Sequence, residues 1–142
     1  MLKSLTGIEP VKTVTQKRIA AWGLRPGLPI GCMLTLRRQS ASQMLKRLLK
    51  AKEFKLKDTH FGPDGTVAFG ITEHIDIEGA QYDPKIGVIG LQACITLEKP
   101  GYRVKRRSLH RAHVGKRHRV TKDEAITFMK HQFGIKLDGE SA

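Results

Sequence analysis

Two apolar stretches in the second half of the sequence decide the fold: TVAFGI at residues 66–71 and VIGLQACITL at residues 88–97. Both have the length and the apolar content of β-strands. The segment GPDG at 62–65, just before the first stretch, is a strong turn signal. We therefore predict a strand in each stretch, and we expect the second strand to lie in the centre of the sheet.

The first half of the sequence predicts two further strands with a loop between them. The segment EPVKTVTQ at 9–16 alternates well enough for a strand, and AAWGLRPGLP at 20–29 is rich in turn formers. The better strand is IGCMLTLR at 30–37, because its apolar residues alternate along the chain. The residues expected on one face of that strand are Cys32, Leu34 and Leu36.

Helical periodicity predicts two helices. Residues 40–51 carry an apolar stripe, and Ser40 and Gln43 have capping-box spacing. The stripe consists of Met44, Leu45, Leu48 and Leu49. A helix that binds a partner can show the same stripe, but packing on a sheet is far commoner. The segment TKDE at 121–124 is another capping box, and it predicts a helix through about residue 133 with Gly134 as its natural stop.

Strands and helices mix here without a regular βαβ alternation, which favours the α+β class. We predict a mainly antiparallel sheet with helices packed on one side. The length of 142 residues and the hydrophobic content of 39% fit one globular domain with its own core. We therefore expect a single domain spanning residues 1–142.

The charge of the chain is high and unevenly distributed. The formal net charge is +13, which predicts attraction to a polyanion such as nucleic acid, an anionic membrane or an acidic protein. Residues 1–57 carry 13 basic and 2 acidic side chains, residues 58–98 carry 1 and 7, and residues 99–142 carry 12 and 4. Two basic regions that flank an acidic middle are typical of a nucleic-acid-binding footprint.

The densest basic region is a segment that we call the basic arm, at about residues 99–120. Between Glu98 and Asp123 there are ten Lys or Arg residues and no acid. They are Lys99, Arg103, Lys105, Arg106, Arg107, Arg111, Lys116, Arg117, Arg119 and Lys122. We expect the arm to be disordered alone and to bind phosphates, with a reach of up to about 40 Å if it folds back as a hairpin. A solvated charged loop is the less favoured alternative.

Other classes of protein fit the sequence less well. Cys32 and Cys94 lie in apolar stretches without a CxxC pair, so we expect buried free thiols in a reducing compartment. No apolar run approaches the roughly 20 residues of a membrane span, and the N-terminus lacks the long apolar region of a secretory signal. We expect a soluble intracellular protein with no membrane partner.

Catalysis is not expected, because none of the common nucleotide-binding, hydrolase or metalloprotease motifs is present. Glu73, His74 and Asp76 form the one dense acid/base cluster, and ordinary hydrogen-bonded loop residues explain it better than a general base. The histidines of the arm, His110, His113 and His118, have no accompanying thiol or carboxylate, so no metal and no cofactor are expected.

Two competing functions can still be named. An enzyme would use Glu73 and His74, and a DNA-binding regulator would use the basic residues. Against the regulator stand the lack of helix-turn-helix spacing and the concentration of cations on an arm. The residues alone therefore favour a nucleic-acid-binding protein without catalysis.

Several ordered motifs along the chain resemble one known family. They are TG-x-x-P at 6–10, R-x-G-x-P-I-G-C at 25–32, TLR at 35–37, FGI-x-EHID at 69–76, YDP-x-IG at 82–87, PGYRVKRR at 100–107 and GKRHRVTK at 115–122. On these motifs the chain resembles the universal ribosomal protein L-five family, called L-eleven in eukaryotes. The EHID, YDP and arm segments are more similar to its archaeal and eukaryotic branch than to the bacterial one.

The resemblance implies a structural constituent of the large ribosomal subunit in the cytoplasm, located in the central protuberance and bound to 5S rRNA. Its further partners would be large-subunit rRNA, the neighbouring ribosomal protein L-eighteen and a small-subunit head protein across an intersubunit bridge. The RNA-binding residues would be Thr35, Arg37, Arg38, Arg103, Lys105, Arg106, Arg107, Arg111, Lys116, Arg117 and Arg119. The loop at 18–29, with Arg18, Trp22 and Arg25, would face the elbow of the P-site tRNA.

The chain also departs from the family pattern. Ile8 stands where the family usually has a glutamine that contacts 5S rRNA, and Arg38 stands where it usually has a glycine. The family has a further N-terminal strand and a long helix, and the segment MLKSLTG at 1–7 resembles the end of that helix.

Overall fold

The predicted stripe of the helix at 40–51 lies in the core. In this computed structural model, which describes residues 1–85 and 87–138, Leu45 is buried and Leu49 is completely buried. The helix packs with the strand at 66–71 and with the last helix in one hydrophobic cluster. The buried members of the cluster are Leu5, Leu45, Leu49, Leu56, Phe61, Val67, Phe69, Ile71, Ile77, Ala93, Val120, Ala125, Met129 and Ile135.

Helices and strands mix along the chain as the sequence predicts. The helices are α1 (Leu2–Thr6), α2 (Arg38–Ala51), α3 (Arg103–Arg106) and α4 (Lys122–Phe133). The strands are β1 (Val11–Val14), β2 (Pro29–Met33), β3 (Lys55–Leu56), β4 (Thr66–Ile71), β5 (Leu91–Thr96) and β6 (Lys136–Leu137). Short 3₁₀ turns occupy Ala20–Trp22, Asp58–His60, His74–Asp76 and Lys116–His118.

The described strands form three two-stranded sheets. The pairs β1–β2 and β4–β5 are antiparallel, whereas the short pair β3–β6 is parallel. In the longest pair Thr66 lies opposite Thr96 and Ile71 lies opposite Leu91. The α+β class and the antiparallel pairing are confirmed, with the strands divided among separate pairs.

The prediction for residues 88–97 is wrong in two respects. β5 begins only at Leu91, and among the described strands it pairs with β4 alone, so it is not central. The late start has a cause outside the strand, because the backbone of Ile89 is bound to His74. The His74 N–H donates to the Ile89 carbonyl at 3.1 Å, and the Ile89 N–H donates to Nδ1 of His74 at 3.3 Å.

The boundary between β2 and α2 also differs from the prediction. β2 ends at Met33, so residues 34–37 form a connection and not the second half of a strand. α2 then begins at Arg38, two residues before the predicted start. Arg37 occupies the N-cap position in an extended conformation and makes no side-chain capping bond. The predicted capping role of Ser40 is therefore wrong.

The last helix follows its sequence signals closely. The Thr121 hydroxyl accepts a hydrogen bond from the Glu124 N–H, and the Glu124 carboxylate accepts one from the Thr121 N–H. At the other end Gly134 has a φ of 65°, a left-handed conformation that favours glycine. Both predicted ends of α4 are confirmed.

The antiparallel pair β1–β2, with the loop that joins its strands, forms a protruding ribbon (residues 11–33). None of the residues 6–43, all of which the structure describes, belongs to the hydrophobic cluster. Val11, Val14, Ile30 and Met33 are all more than half exposed. The ribbon is therefore held by its own backbone bonds and presents apolar side chains to the surroundings.

Both cysteines are exposed, contrary to the prediction of buried thiols. Cys32 lies on the ribbon, where apolar neighbours in sequence do not imply burial, because the ribbon is outside the core. Cys94 lies on β5, where the strand alternates and the neighbouring Ala93 takes the buried position.

Candidate RNA interface

The loop at the end of the ribbon holds Trp22 in a prominent position. Backbone bonds brace the loop, from the Thr15 N–H to the Leu28 carbonyl and from the Gly27 N–H to the Thr15 carbonyl, both at 2.9 Å. Ile19 and Leu24 form a further bridge closer to the end. Trp22 lies in the 3₁₀ turn between them and is 76% exposed. An indole held open to solvent on a braced loop can stack on a nucleobase or pack on a protein.

Two of the predicted tRNA-facing cations, Arg18 and Arg25, flank this turn and are exposed. Within the described residues neither has an ion pair. The structure therefore brings an exposed aromatic ring and two uncompensated guanidinium groups onto one short loop.

The three predicted 5S-contact residues lie together in sequence where β2 leads into α2. Thr35 belongs to the connection, Arg37 is the residue that precedes α2, and Arg38 is its first residue. All three are exposed. Thr35 and Arg37 were predicted within the strand at 30–37, and that prediction is wrong because β2 ends at Met33. Arg37 and Arg38 lie instead at the start of the 14-residue helix α2.

The basic arm is more structured than a free tail. It contains the single turn of α3 and the 3₁₀ turn at Lys116–His118, and its described residues form no strand. The cations of the arm are nevertheless almost all exposed. Those with no ion pair among the described residues are Arg103, Lys105, Arg107, Arg111, Lys116 and Arg117.

Two cations of the basic arm form ion pairs, although the sequence predicted that the cations of the arm would all be unpaired. Lys99 pairs with Glu124 at 2.8 Å, and Arg106 pairs with Glu98 at 2.5 Å. These bonds cross to residues that flank the arm in sequence. The positions of such carboxylates are not visible in an acid-free run of sequence, so the prediction overstated the repulsion within the arm.

Two further pairs hold the end of the arm that leads into α4. Lys122 pairs with Asp58 at 2.5 Å, and Arg119 lies 3.9 Å from Asp64. Both acids belong to the acid-rich middle of the chain. The acids in the middle of the sequence thus attract the cations where the arm leads into α4.

A clasp also joins the beginning and the end of the arm. Nε2 of His118 lies 2.7 Å from the Pro100 carbonyl, and its ring centroid lies 5.9 Å from that of Tyr102. Gly101 has a φ of 105°, and a side chain at this position would approach the His118 ring. The clasp makes the arm a closed loop with its unpaired cations displayed between fixed ends.

The predicted acid/base cluster does not form a catalytic site. His74 is buried, and its Nδ1 is occupied as the acceptor for the Ile89 N–H. Glu73 and Asp76 are exposed on either side of it. His74 thus shapes the backbone. The stretch of chain around it carries four exposed acids, which we call the acidic surface: Glu73, Asp76, Glu78, whose carboxylate is paired with Lys50, and Asp83. The acidic charge of residues 58–98 was the sequence signal for this surface.

Apolar side chains accompany the acidic surface. Ile75 is 41% exposed and Tyr82 is 56% exposed, and both lie within the same stretch of chain. Carboxylates with exposed apolar groups repel phosphate and favour a basic protein segment. Sequence reasoning treated this stretch only as a cluster of polar loop residues.

Among the described residues no group of His, Cys, Asp or Glu side chains could hold a metal ion. No described helix is long and apolar enough to cross a membrane.

Comparisons with known proteins place the chain in a family. The model of the ribosomal L5P family C-terminus matches residues 29–128. The large ribosomal subunit protein uL5 of Sulfolobus acidocaldarius is 47% identical over 96% of this chain and 77% of its own length. The protein of the same name from Nanoarchaeum equitans is 49% identical over 96% of this chain and 81% of its own. The chain therefore belongs to the ribosomal L5P family, a family of structural proteins and not of enzymes.

Proposed function

We propose that this chain is a structural constituent of the large ribosomal subunit, in the cytoplasm, and that it binds 5S rRNA in the central protuberance. One observation carries the proposal. The exposed cations without ion pairs among the described residues are concentrated on two segments outside the core, the stretch from the ribbon to the start of α2 and the basic arm. Surfaces of this kind bind a polyanion without disturbing the fold.

The two basic segments have different tasks. The arm supplies general affinity through phosphate contacts of Arg103, Lys105, Arg107, Arg111 and the cations of 116–119. Phosphate contacts position a protein on RNA but carry little sequence information. Thr35, Arg37 and Arg38 supply selectivity for 5S rRNA, because Arg37 and Arg38 stand at the start of a regular helix that fixes their backbone. Large-subunit rRNA is the second nucleic-acid partner.

The loop at the end of the ribbon faces the elbow of the P-site tRNA. Bases in the loops of folded RNA are recognised by stacking on aromatic side chains and on guanidinium planes. Trp22 supplies the stacking surface, and Arg18 and Arg25 supply charge beside it. The exposure of Trp22 supports this assignment, since a tryptophan exposed to this degree gains nothing from the core.

The acidic surface faces protein and not RNA. Its partner is the small-subunit head protein across an intersubunit bridge, which it would meet through a basic segment. The neighbouring ribosomal protein L-eighteen is the other protein partner. Opposite charges orient the partners and raise their rate of association more than they raise affinity, which suits a contact between two ribosomal subunits.

Binding to 5S rRNA measured at several salt concentrations tests the proposal. If roughly six to ten phosphates are neutralised, log affinity should fall with log salt at a slope of about −4 to −9. A DNA duplex of equal length is the comparison, since a DNA-binding regulator would prefer it. A nearly flat salt dependence, or equal affinity for the DNA, would contradict the proposed function.

A further inference from the structure

Arg47 on α2 makes the most extensive set of long-range hydrogen bonds of any described side chain. Its Nη1 donates to the Leu5 carbonyl at 3.1 Å, and its Nε donates to the Glu78 carbonyl at 2.9 Å. Nη2 donates to the same Glu78 carbonyl. One half-buried guanidinium therefore joins α1, α2 and the segment that carries the acidic surface.

The geometry around Glu78 is built for this contact. Lys50, one turn after Arg47, pairs with the Glu78 carboxylate at 3.0 Å. The hydrogen bond from Lys50 lowers the pKa of Glu78. At Gly79, with a φ of 81°, a side-chain carbon would lie 2.8 Å from Nη2 of Arg47. The left-handed backbone favours glycine here, and a side chain would displace the guanidinium of Arg47.

The segment around the acidic surface has few other supports. No residue from 72 to 85 belongs to a strand. Ile77 is buried in the core, His74 is tied to Ile89, and the turn from Ile77 to Ala80 has one backbone bond. Among the described residues, however, only Arg47 donates hydrogen bonds to the backbone carbonyl of Glu78. Arg47 supplies that support through charge-assisted bonds, which are stronger than neutral ones.

We propose that Arg47 is a positioning residue of the acidic surface. It fixes the backbone at Glu78 to α1 and α2, and so holds the surrounding carboxylates in one arrangement for a basic protein segment. The proposal rests on the protein-docking role given above to the acidic surface. It also removes Arg47 from the cations available to RNA, although the sequence alone would count it among them.

Hydrogen exchange tests the positioning itself. The Ala80 N–H donates to the Ile77 carbonyl beside the contact between Arg47 and Glu78, whereas the Ala125 N–H donates to the Thr121 carbonyl in α4. In Arg47→Gln, the exchange rate at Ala80 should rise about ten- to hundredfold, because the variant loses the stabilisation that hydrogen bonds from a charged donor provide. The exchange rate at Ala125 should not change. Arg47→Lys should restore part of the protection. Lys46→Gln, which removes the same charge from the same helix, should change neither amide.

A binding experiment tests the consequence for the surface. The probe is a fluorescent peptide of alternating lysine and leucine, and Glu73→Lys with Asp76→Lys is the variant that destroys the surface charge. Arg47→Gln should weaken peptide binding several-fold, although it removes no carboxylate. Lys46→Gln should leave binding unchanged.

Each failure has its own meaning. Unchanged exchange at Ala80 in Arg47→Gln overturns the positioning role, as does an equal rise at Ala80 and Ala125, which would mark a purely structural residue. Full peptide binding by Arg47→Gln, with loss in the charge-reversed variant, also overturns it. If the charge-reversed variant binds as well as the wild type, the docking role of the acidic surface is itself wrong, and the inference falls with it.

Discussion

Arg106 Nη2 lies 2.5 and 2.6 Å from the two carboxylate oxygens of Glu98, so a guanidinium of the basic arm is bound to an acid at the arm's own root. A phosphate that binds this Nη2 must replace the carboxylate. Glu98 therefore competes with RNA for part of the guanidinium of Arg106, one of the cations predicted to bind RNA.

Removing the competing carboxylate should strengthen RNA binding. Glu98→Gln frees Arg106, and because exposed ion pairs contribute about 0–1 kcal/mol, affinity for 5S rRNA should rise by no more than about fivefold. Asp123→Asn removes the same charge at the other end of the arm, from an acid without an ion pair among the described residues. Filter binding at one salt concentration compares the two. An equal gain from both variants would mean that net charge alone is responsible.

Selectivity for 5S rRNA should reside at the start of α2. Arg37→Ala should weaken binding to 5S rRNA by about 1–3 kcal/mol, the usual value of a hydrogen bond to a charged group, and barely affect an unrelated structured RNA. Arg111→Ala removes the same charge from the arm and should weaken binding to both RNAs similarly. If Arg37→Ala lowers both affinities equally, the specific contact lies elsewhere.

The basic arm should be protected from protease only when RNA is bound. Its exposed, unpaired cations repel one another in the free protein, and phosphates remove that repulsion. Trypsin should cleave between Arg103 and Arg119 in the free chain, while the complex stays intact at these sites. Lys46 and Lys50 within α2 serve as internal references, since a regular helix resists cleavage in both states. Equal cleavage of the arm with and without RNA would contradict the prediction.

The capping residue of α4 should contribute measurably to stability. Thr121→Ala removes the hydroxyl that accepts from the Glu124 N–H, and it should lower the free energy of unfolding by about 0.5–2 kcal/mol. Ser40→Ala is the matched control, because Ser40 carries a capping signal in the sequence but lies inside α2. Denaturant unfolding of both variants measures the two changes in the free energy of unfolding. An equal loss from Ser40→Ala would be inconsistent with the structure.

The contribution of Glu124 to stability should depend on pH. The hydrogen bond from Lys99, followed by that from the Thr121 N–H, lowers the pKa of Glu124 from its ordinary value of 4.5. A lowered pKa in the folded state gives stabilisation that is complete above the ordinary value and is lost as pH falls through the lowered one. Unfolding of the wild type and of Glu124→Gln should therefore differ most near neutral pH. A difference that grows towards acid pH would reverse this sign.

Sequence patterns predicted the elements whose causes are local. α4 was predicted at both ends because Thr121, Glu124 and Gly134 act on the backbone within one turn. The strand at 66–71 was also predicted with its correct bounds, since it follows a marked turn and its alternate residues enter the core.

The errors share a long-range cause. β5 begins late because His74, 15 residues earlier, binds the backbone of Ile89. Cys32 is exposed because the whole ribbon stands outside the core, which an alternating pattern cannot reveal. Arg47 binds the backbone of Glu78 and of Leu5, which lie 31 and 42 positions away in the sequence, and no spacing rule identifies such contacts. Of the candidate site, the basic segments were visible as charge runs, whereas the acidic partners of Lys99 and Arg106 were not.

Residues 6–43 do not belong to the hydrophobic cluster. Substitutions in this part of the chain and substitutions in the core are therefore expected to have different effects, on contacts with partners and on folding respectively. Substitutions in α2, β4 or α4 act on every copy of the protein, because they change the fraction that is folded. Substitutions of the exposed side chains on the ribbon remove no core contact, so we expect their main effect where the ribbon meets another molecule. The ribbon can therefore change together with its partner while the core stays as it is, and divergence between related chains in this region records changes in their partners.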